Sequence, residues 1–127
     1  DYVTPNESEA EALTGIAVTD IASAEAAARV FLEKGVGAAL ITLGEQGALL
    51  VSAHETVHVP ALSAGPVVET TGAGDAFNGG FAVALSEGMA PADAVRFGAA
   101  TAGISVTRPG TAPSMPKRSE IEALLAR

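Results

Sequence analysis

Hydrophobic and polar positions along the chain predict helices that alternate with short apolar strands. Small and apolar residues recur every three or four positions in SAEAAARVFLEK, which is typical of a helix with one buried face. The continuous apolar run AALITL is instead typical of a strand that is covered on both faces. The predicted helices span 6–14, 23–34, 73–85, 91–106 and 117–125, and the predicted strands span 38–43, 48–52, 56–60 and 67–68. This alternation indicates an α/β layered fold.

Composition narrows the functional classes. The 127 residues suffice for one domain with a core, and 48% hydrophobic residues with only 4% aromatics suit small side chains packed between helices and a sheet. A net charge of −8 argues against binding to nucleic acid or to an anionic membrane. The absence of cysteine excludes disulfides and thiolate metal sites. Without a signal peptide or a long apolar run, we expect a cytoplasmic protein.

The stretch HETVH, from His54 to His58, matches the H-E-x-x-H pattern of zinc proteases. That chemistry needs both histidines on adjacent turns of a helix, separated by about 6 Å of axial rise. The surrounding valines and Pro60 favour extended chain, in which the two imidazoles lie roughly 13 Å apart. One zinc ion, with bonds of about 2 Å, cannot bridge that separation. We therefore interpret HETVH as a hairpin with two surface histidines.

The segment ETTGAGDAFNGG, residues 69–80, offers the clearest chemistry. Gly72-Ala73-Gly74 precedes a helical run, so main-chain N–H groups at the helix N-terminus can bind an anion without Lys or Arg. Asp75 lies beside them and can accept a proton from an incoming hydroxyl. Together these groups suggest phosphoryl transfer to an alcohol. From the residues alone, an equally weighted interpretation is that Asp75 is a plain first-turn carboxylate and the glycines only form a turn.

Other phosphate-binding motifs do not fit this segment. A Rossmann G-x-G-x-x-G needs glycine where Phe77 stands, and neither a Walker A motif nor a G-x-S-x-G nucleophile elbow occurs. Gly79 and Gly80 lie inside the predicted helix, where each costs roughly 1 kcal/mol relative to alanine. Close packing against a neighbouring element would explain them.

TTGAGDAFNGGFAVAL, residues 70–85, closely resembles the C-terminal signature of the ribokinase-like carbohydrate kinases. PNESEAEALTG, ITLGEQG and AVRFGAATAGISVTRPGTAPSMP are similar to further segments of that family in the same order, so the resemblance covers essentially the whole chain. It implies a layered α/β fold with a mostly parallel sheet and flanking helices. It also implies an enzyme that transfers a phosphoryl group from ATP to a sugar hydroxyl.

The resemblance assigns roles to individual residues. Asp75 is the base that binds and deprotonates the sugar hydroxyl, and Gly72, Ala73 and Gly74 form an anion hole with their main-chain N–H groups. Glu9 orders Mg2+ and its waters beside Asn6. The nucleotide-binding residues are Asn6, Thr42, Leu43, Gly44, Glu45, Gln46, Gly47, Gly74 and Ala99. Taken alone, Asn6 is more simply a helix cap, Glu9 a solvated helix residue and the segment 42–47 an ordinary hairpin turn.

A monovalent-cation site for K+ is also implied, next to the anion hole. Its expected ligands are Glu69, Thr71, Ser105, Arg108, Gly110 and Ser114, several through main-chain carbonyl oxygens. Glu69 stands where the family typically carries aspartate, so its carboxylate is displaced by one methylene.

The resemblance covers only the C-terminal, nucleotide-binding part of such a kinase, here residues 1–127. The first residues, DYVTP, lack an initiator Met and resemble a strand that runs into a loop, so we expect a longer protein. The N-terminal sugar-binding half and its lid, through which the family forms homodimers, have no counterpart in this sequence. The RPGTAPSMP segment favours ribose, giving ribose 5-phosphate, over fructose, 2-keto-3-deoxygluconate or a nucleoside. An inert nucleotide-binding fragment without turnover is the alternative.

Overall fold

The computed structural model describes residues 2–65, 67–68, 73–107 and 117–126, apart from the side chain of Glu45. The chain divides into two compact units, Asp1–Val59 and Pro60–Arg127. The first contains a sheet and two helices, and the regular elements described in the second are helices. Within the described part of the chain, no helix combines the length and the apolar character needed to span a membrane.

The first unit follows the predicted order of elements closely. It consists of β1 (Tyr2–Val3), α1 (Glu7–Thr14), α2 (Ile21–Glu33), β2 (Ala38–Thr42), a 3₁₀ turn (Gly44–Gln46), β3 (Ala48–Ser52) and β4 (Thr56–Val59). Asn6 caps α1, as the sequence predicts, and Gly15 ends the helix with a left-handed φ of 76°. Helix α2 begins two residues before the predicted start, because Asp20 caps it and Ser23 completes the capping box instead of starting the helix.

The sheet of the first unit is mixed rather than mostly parallel. Its strand order is β1-β2-β3-β4, and β1 pairs with β2 in parallel, whereas β2–β3 and β3–β4 are antiparallel. The reason is the length of the connections: α1 and α2 form the crossover that parallel strands need, and short turns join the later strands. The α/β layered class is confirmed.

Small side chains bring the two helices close to one face of the sheet. Ala10 of α1 and Ala27, Ala28 and Phe31 of α2 are buried against the sheet side chains. The sheet contributes Ala39, Ile41, Leu49 and Val51 to this cluster. The alanine-rich composition therefore serves close approach of helix to sheet, and burial of the shared apolar surface stabilises the unit.

The second unit consists, where described, of α3 (Ala73–Ser86), α4 (Pro91–Ser105) and α5 (Arg118–Leu125). Each lies within one or two residues of its predicted bounds. The predicted strand at Val67–Val68 is wrong: the Val68 N–H donates to the Val106 carbonyl at 2.7 Å, beyond the end of α4. A strand requires a neighbouring strand, and within the described residues this segment is bound to a helix end instead.

Helices α3 and α4 cross at glycines. A Cβ added to Gly80 would lie 3.0 Å from Thr101 Cβ and still closer to Thr101 Oγ1, and one added to Gly98 would lie 2.8 Å from the Phe77 carbonyl oxygen. The predicted packing role is thus confirmed for Gly80. It is wrong for Gly79, where an added Cβ meets nothing within 4 Å.

Candidate active site

The N-x-x-E pair, Asn6 and Glu9, lies where the sheet meets α1. Asn6 Oδ1 accepts a hydrogen bond from the Glu9 N–H at 2.8 Å, and Glu9 Oε1 accepts one from the Asn6 N–H at 2.9 Å. Glu9 is therefore part of a reciprocal capping box rather than only a solvated side chain. The box occupies one carboxylate oxygen, and the other can accept from a metal-bound water.

The structure brings this pair next to the predicted nucleotide turn. Asn6 forms a parallel bridge with Thr42, and the Thr42 N–H donates to the Pro5 carbonyl at 3.1 Å. A Cβ on Gly44 would lie 3.9 Å from Glu7 Oε1. The start of α1 and the end of β2 thus form one edge of the first unit, at the carboxyl ends of the two parallel strands. In α/β sheets, ligands bind at such edges.

The turn itself is shaped by its own main chain. The Leu43 N–H donates to the Gly47 carbonyl at 2.8 Å, and the Gly47 N–H donates to the Gly44 carbonyl at 3.1 Å. Gly44 and Gly47 have φ values of 57° and 92°, which side-chain-bearing residues adopt only with strain. Gly44 is exposed, so its lack of a side chain leaves the main chain open to a ligand at that position, whereas Gly47 is buried.

HETVH does not form a helix. His54 lies in the bend between β3 and β4, and His58 lies within β4, so the predicted extended conformation is confirmed. His58 has an additional contact that the sequence pattern did not predict: its Nε2 lies 2.6 Å from the Gln46 carbonyl oxygen in the nucleotide turn. The register of the hairpin, which pairs Leu49 with His58, is the signal that would have indicated this proximity.

Helix α3 begins at Ala73, so Ala73 and Gly74 of the glycine-rich segment lie in its first turn rather than before it. Its first N–H groups have no partner inside the helix, as at every helix N-terminus, and they carry partial positive charge. Asp75 is exposed in this first turn, and among the described residues no hydrogen bond or ion pair engages its carboxylate. A Cβ on Gly74 would meet nothing within 4 Å, so packing does not explain that glycine.

Of the expected cation ligands, Ser105 is the one that lies within the described residues. Ser105 is the last residue of α4 and is buried. The hydrogen bond from Val68 to Val106 places the chain just before Glu69 beside this helix end, and a Cβ on Gly65 would lie 3.8 Å from the Thr107 methyl group. Val68, which precedes the predicted ligand Glu69, is therefore hydrogen-bonded to Val106, which follows the predicted ligand Ser105.

Some predicted residues lie outside the described part of the chain. They are Glu69, Thr71, Gly72, Arg108, Gly110 and Ser114. Ala99 is described and lies in α4 with 3% of its surface exposed, so the structure shows it as a buried helix residue. Its predicted contact with adenine stays a prediction.

Comparison with known proteins identifies the family. The model for pfkB family carbohydrate kinases matches residues 1–118. The chain belongs to the pfkB family of carbohydrate kinases. This membership confirms the resemblance on which the site residues were predicted.

Individual pfkB relatives are similar over the whole chain. A ribokinase from Haemophilus influenzae is 45% identical over 94% of this chain, which spans 39% of the relative. Among solved structures, ribokinase from Thermotoga maritima is 50% identical to this chain, with a TM-score of 0.90. The match covers all of this chain and 42% of the Thermotoga maritima chain. Arabidopsis thaliana ribokinase, solved with ribose and ATP, shares 37% identity with a TM-score of 0.95, covering all of this chain and 41% of its own. The sequence given thus corresponds to about two-fifths of the length of these relatives.

Two further solved structures that are similar to this chain contain metal ions. A putative ribokinase II from E. coli, 31% identical with a TM-score of 0.87, was solved with ATP and Mg2+ and is matched by all of this chain, over 39% of its own length. Phosphofructokinase-2 from E. coli, 27% identical with a TM-score of 0.87, was solved with potassium and is matched by 99% of this chain, over 40% of its length.

Proposed function

We propose that the protein containing this chain transfers the terminal phosphoryl group of ATP to a sugar hydroxyl, converting ribose to ribose 5-phosphate. The observation that carries this proposal is the start of α3. It combines the N–H groups of a helix N-terminus, a glycine that packing does not require, and an exposed carboxylate at Asp75 that no other described residue engages. Family membership supports the same chemistry.

In the proposed reaction, the Asp75 carboxylate acts as the base and the N–H groups at the start of α3 stabilise charge. Asp75 accepts the proton of the attacking hydroxyl, whose oxygen then bonds to the terminal phosphorus as the bond to ADP breaks. The N–H groups of Ala73 and Gly74, with that of Gly72, stabilise the negative charge on the transferring group. Because these donors are neutral, the site needs no basic side chain and suits a chain with a net charge of −8.

The first unit would hold the nucleotide and its metal. The main chain of the turn is accessible at Gly44, which is exposed and lacks a side chain, and Asn6 adjoins the turn through Thr42. The second carboxylate oxygen of Glu9 would hold waters of Mg2+, an ion that retains part of its hydration shell in proteins. Mg2+ neutralises phosphate charge when bound.

For K+, the proposed ligands are oxygens near the end of α4, including Ser105, together with Glu69 and the other predicted residues. Carbonyl and carboxylate oxygens match a hard cation of this kind. The hydrogen bond from Val68 to Val106 supports the proposal, since Val68 directly precedes Glu69 and Val106 directly follows Ser105. A bound cation would steady the segment that leads into the anion hole.

An assay of ADP release tests the proposal. The full-length protein, with ATP, Mg2+ and K+, is expected to release ADP fastest with ribose, more slowly with fructose, 2-keto-3-deoxygluconate or a nucleoside, and not at all without an acceptor. Absence of acceptor-dependent ADP release with all four compounds would refute it. Faster release with one of the other three acceptors would reassign the substrate.

A second candidate is nucleotide binding without turnover. It concerns the given sequence by itself, which corresponds to 39% of the length of the Haemophilus influenzae ribokinase that it matches. The chain as given should then bind ATP and release no ADP, whereas the full-length protein does both. Equal turnover by the two forms would exclude this candidate.

A further inference from the structure

His58 connects strand β4 to the nucleotide turn. Its Nε2 lies 2.6 Å from the main-chain carbonyl oxygen of Gln46. A carbonyl oxygen only accepts hydrogen bonds, so the ring nitrogen must be the donor and carry the hydrogen. His54, the other histidine of HETVH, is exposed at the hairpin bend and bonds to Ser52 through its main-chain N–H.

The peptide unit between Gln46 and Gly47 is held at both ends. Its carbonyl oxygen accepts from His58, and its N–H, on Gly47, donates to the Gly44 carbonyl at 3.1 Å. The following residue is glycine, for which both signs of φ are accessible at little cost. Rotation of this peptide unit would therefore be easy without an external restraint, and His58 is a restraint from outside the turn.

The position of His58 is itself fixed by the sheet. It lies opposite Leu49 in the β3–β4 ladder, and Leu49 is buried in the core cluster of the first unit. Two residues earlier on β4, Thr56 receives a hydrogen bond at 3.4 Å from Arg29 of α2. The donor nitrogen thus belongs to a residue of β4, which is hydrogen-bonded to β3, and not to the 42–47 turn that it contacts.

We propose that His58 is a positioning residue that fixes the orientation of the 46–47 peptide and thereby keeps the 42–47 turn in its nucleotide-binding shape. This inference rests on the proposed function of that turn. His58 does not touch the reacting atoms, so its loss weakens ATP binding and leaves the chemical step intact.

Three variants of the full-length protein test the proposal. His58→Leu removes the donor, His58→Gln returns an amide N–H near the position of Nε2, and His54→Leu is the matched control in the same hairpin. We expect His58→Leu to raise KM for ATP about three- to tenfold, the effect of one lost hydrogen bond, with kcat within about twofold of wild type. His58→Gln should recover most of the affinity, and His54→Leu should match wild type.

Hydrogen exchange of the segment 42–47 separates failure of this inference from failure of the proposed function. Without ATP, His58→Leu should accelerate exchange of the Gly47 amide, and His54→Leu should not. Addition of ATP should protect the segment in wild type. If ATP protects it but His58→Leu changes neither exchange nor KM, the positioning role is refuted and the nucleotide site stands. If ATP gives no protection in wild type, the nucleotide role of the turn is refuted, and the functional part of this inference with it.

Discussion

The side chains of Asn6 and Glu9 each hold the other's main-chain N–H group, at 2.8 and 2.9 Å. This reciprocal bonding fixes the start of α1 beside the end of β2, where Asn6 bridges to Thr42. A pair expected to order Mg2+ is therefore also a structural cap. The two roles can be separated, because the cap needs hydrogen-bonding oxygens whereas the metal needs charge.

Glu9→Gln should separate them. Glutamine also completes a capping box, so the fold should be retained, while the loss of charge should raise the Mg2+ concentration for half-maximal activity by about tenfold. Asn6→Ala should instead destabilise the protein by about 1 kcal/mol. Mg2+ titration and thermal unfolding measure the two effects, with Glu11→Gln on the exposed side of α1 as the control. An unchanged Mg2+ requirement in Glu9→Gln would show that Glu9 acts only in the helix cap.

Asp75→Asn should lower kcat by about 10²- to 10⁴-fold, because the amide cannot accept the hydroxyl proton, while KM for ATP stays near its wild-type value. Asp93→Asn provides the control, since Asp93 is likewise an exposed acidic residue in the first turn of a helix. Steady-state kinetics of both variants decide the point. A near-normal kcat for Asp75→Asn would remove Asp75 as the base.

Gly74→Ala and Gly79→Ala form a matched pair on α3. Neither added methyl group meets an atom within 4 Å, and each substitution should stabilise the helix by roughly 0.5–1 kcal/mol. Only Gly74→Ala should lower kcat/KM, since its methyl group enters the proposed anion hole. Equal activity of the two variants would show that the transferred group does not approach Gly74.

Gly80→Ala should destabilise the protein by about 1–3 kcal/mol, because the new Cβ overlaps Thr101 of α4. Thr101 Oγ1 donates to the Phe97 carbonyl at 2.8 Å, which keeps the side chain in place. Denaturant unfolding of Gly80→Ala, Thr101→Ala and the double variant measures the coupling. The double variant should recover part of the loss, and strict additivity would contradict the overlap.

The pair formed by Glu87 and Arg118 should make stability depend on pH. The hydrogen bond from Arg118, more than its charge, holds the pKa of Glu87 below its ordinary value. A carboxyl group with a lowered folded-state pKa stabilises the protein above its unfolded pKa, about 4.3, and loses that contribution as pH falls through the folded value. Glu87→Gln should therefore lower the Tm at pH 7 slightly, and the gap from wild type should close in acid.

Glu11→Gln, an exposed glutamate that takes part in none of the ion pairs described here, is the reference for this experiment. A Tm gap for Glu87→Gln that persists unchanged at pH 2.5 would show that the ion pair is not its source.

Much of the fold was predictable because its signals are local. The caps at Asn6 and Gly15 act within one helical turn, and the bounds of β3 follow directly from its apolar run. The predicted start of α2 is two residues too late for a local reason as well: Asp20 is the N-cap, and Ser23 forms the capping box with it. The candidate site was predicted through family resemblance, and the residues alone left Asp75 open to a purely structural interpretation.

The sequence by itself determined the order and approximate bounds of most helices and strands, because capping and hydrophobic periodicity act between residues a few positions apart. Its ordered motifs also indicated the family. Only the tertiary structure decided the mixed strand directions, the different reasons for Gly79 and Gly80, and the bond between His58 and Gln46. Each of these depends on which distant segments come into contact. Local propensity does not specify such contacts, because packing and strand pairing select them for the chain as a whole.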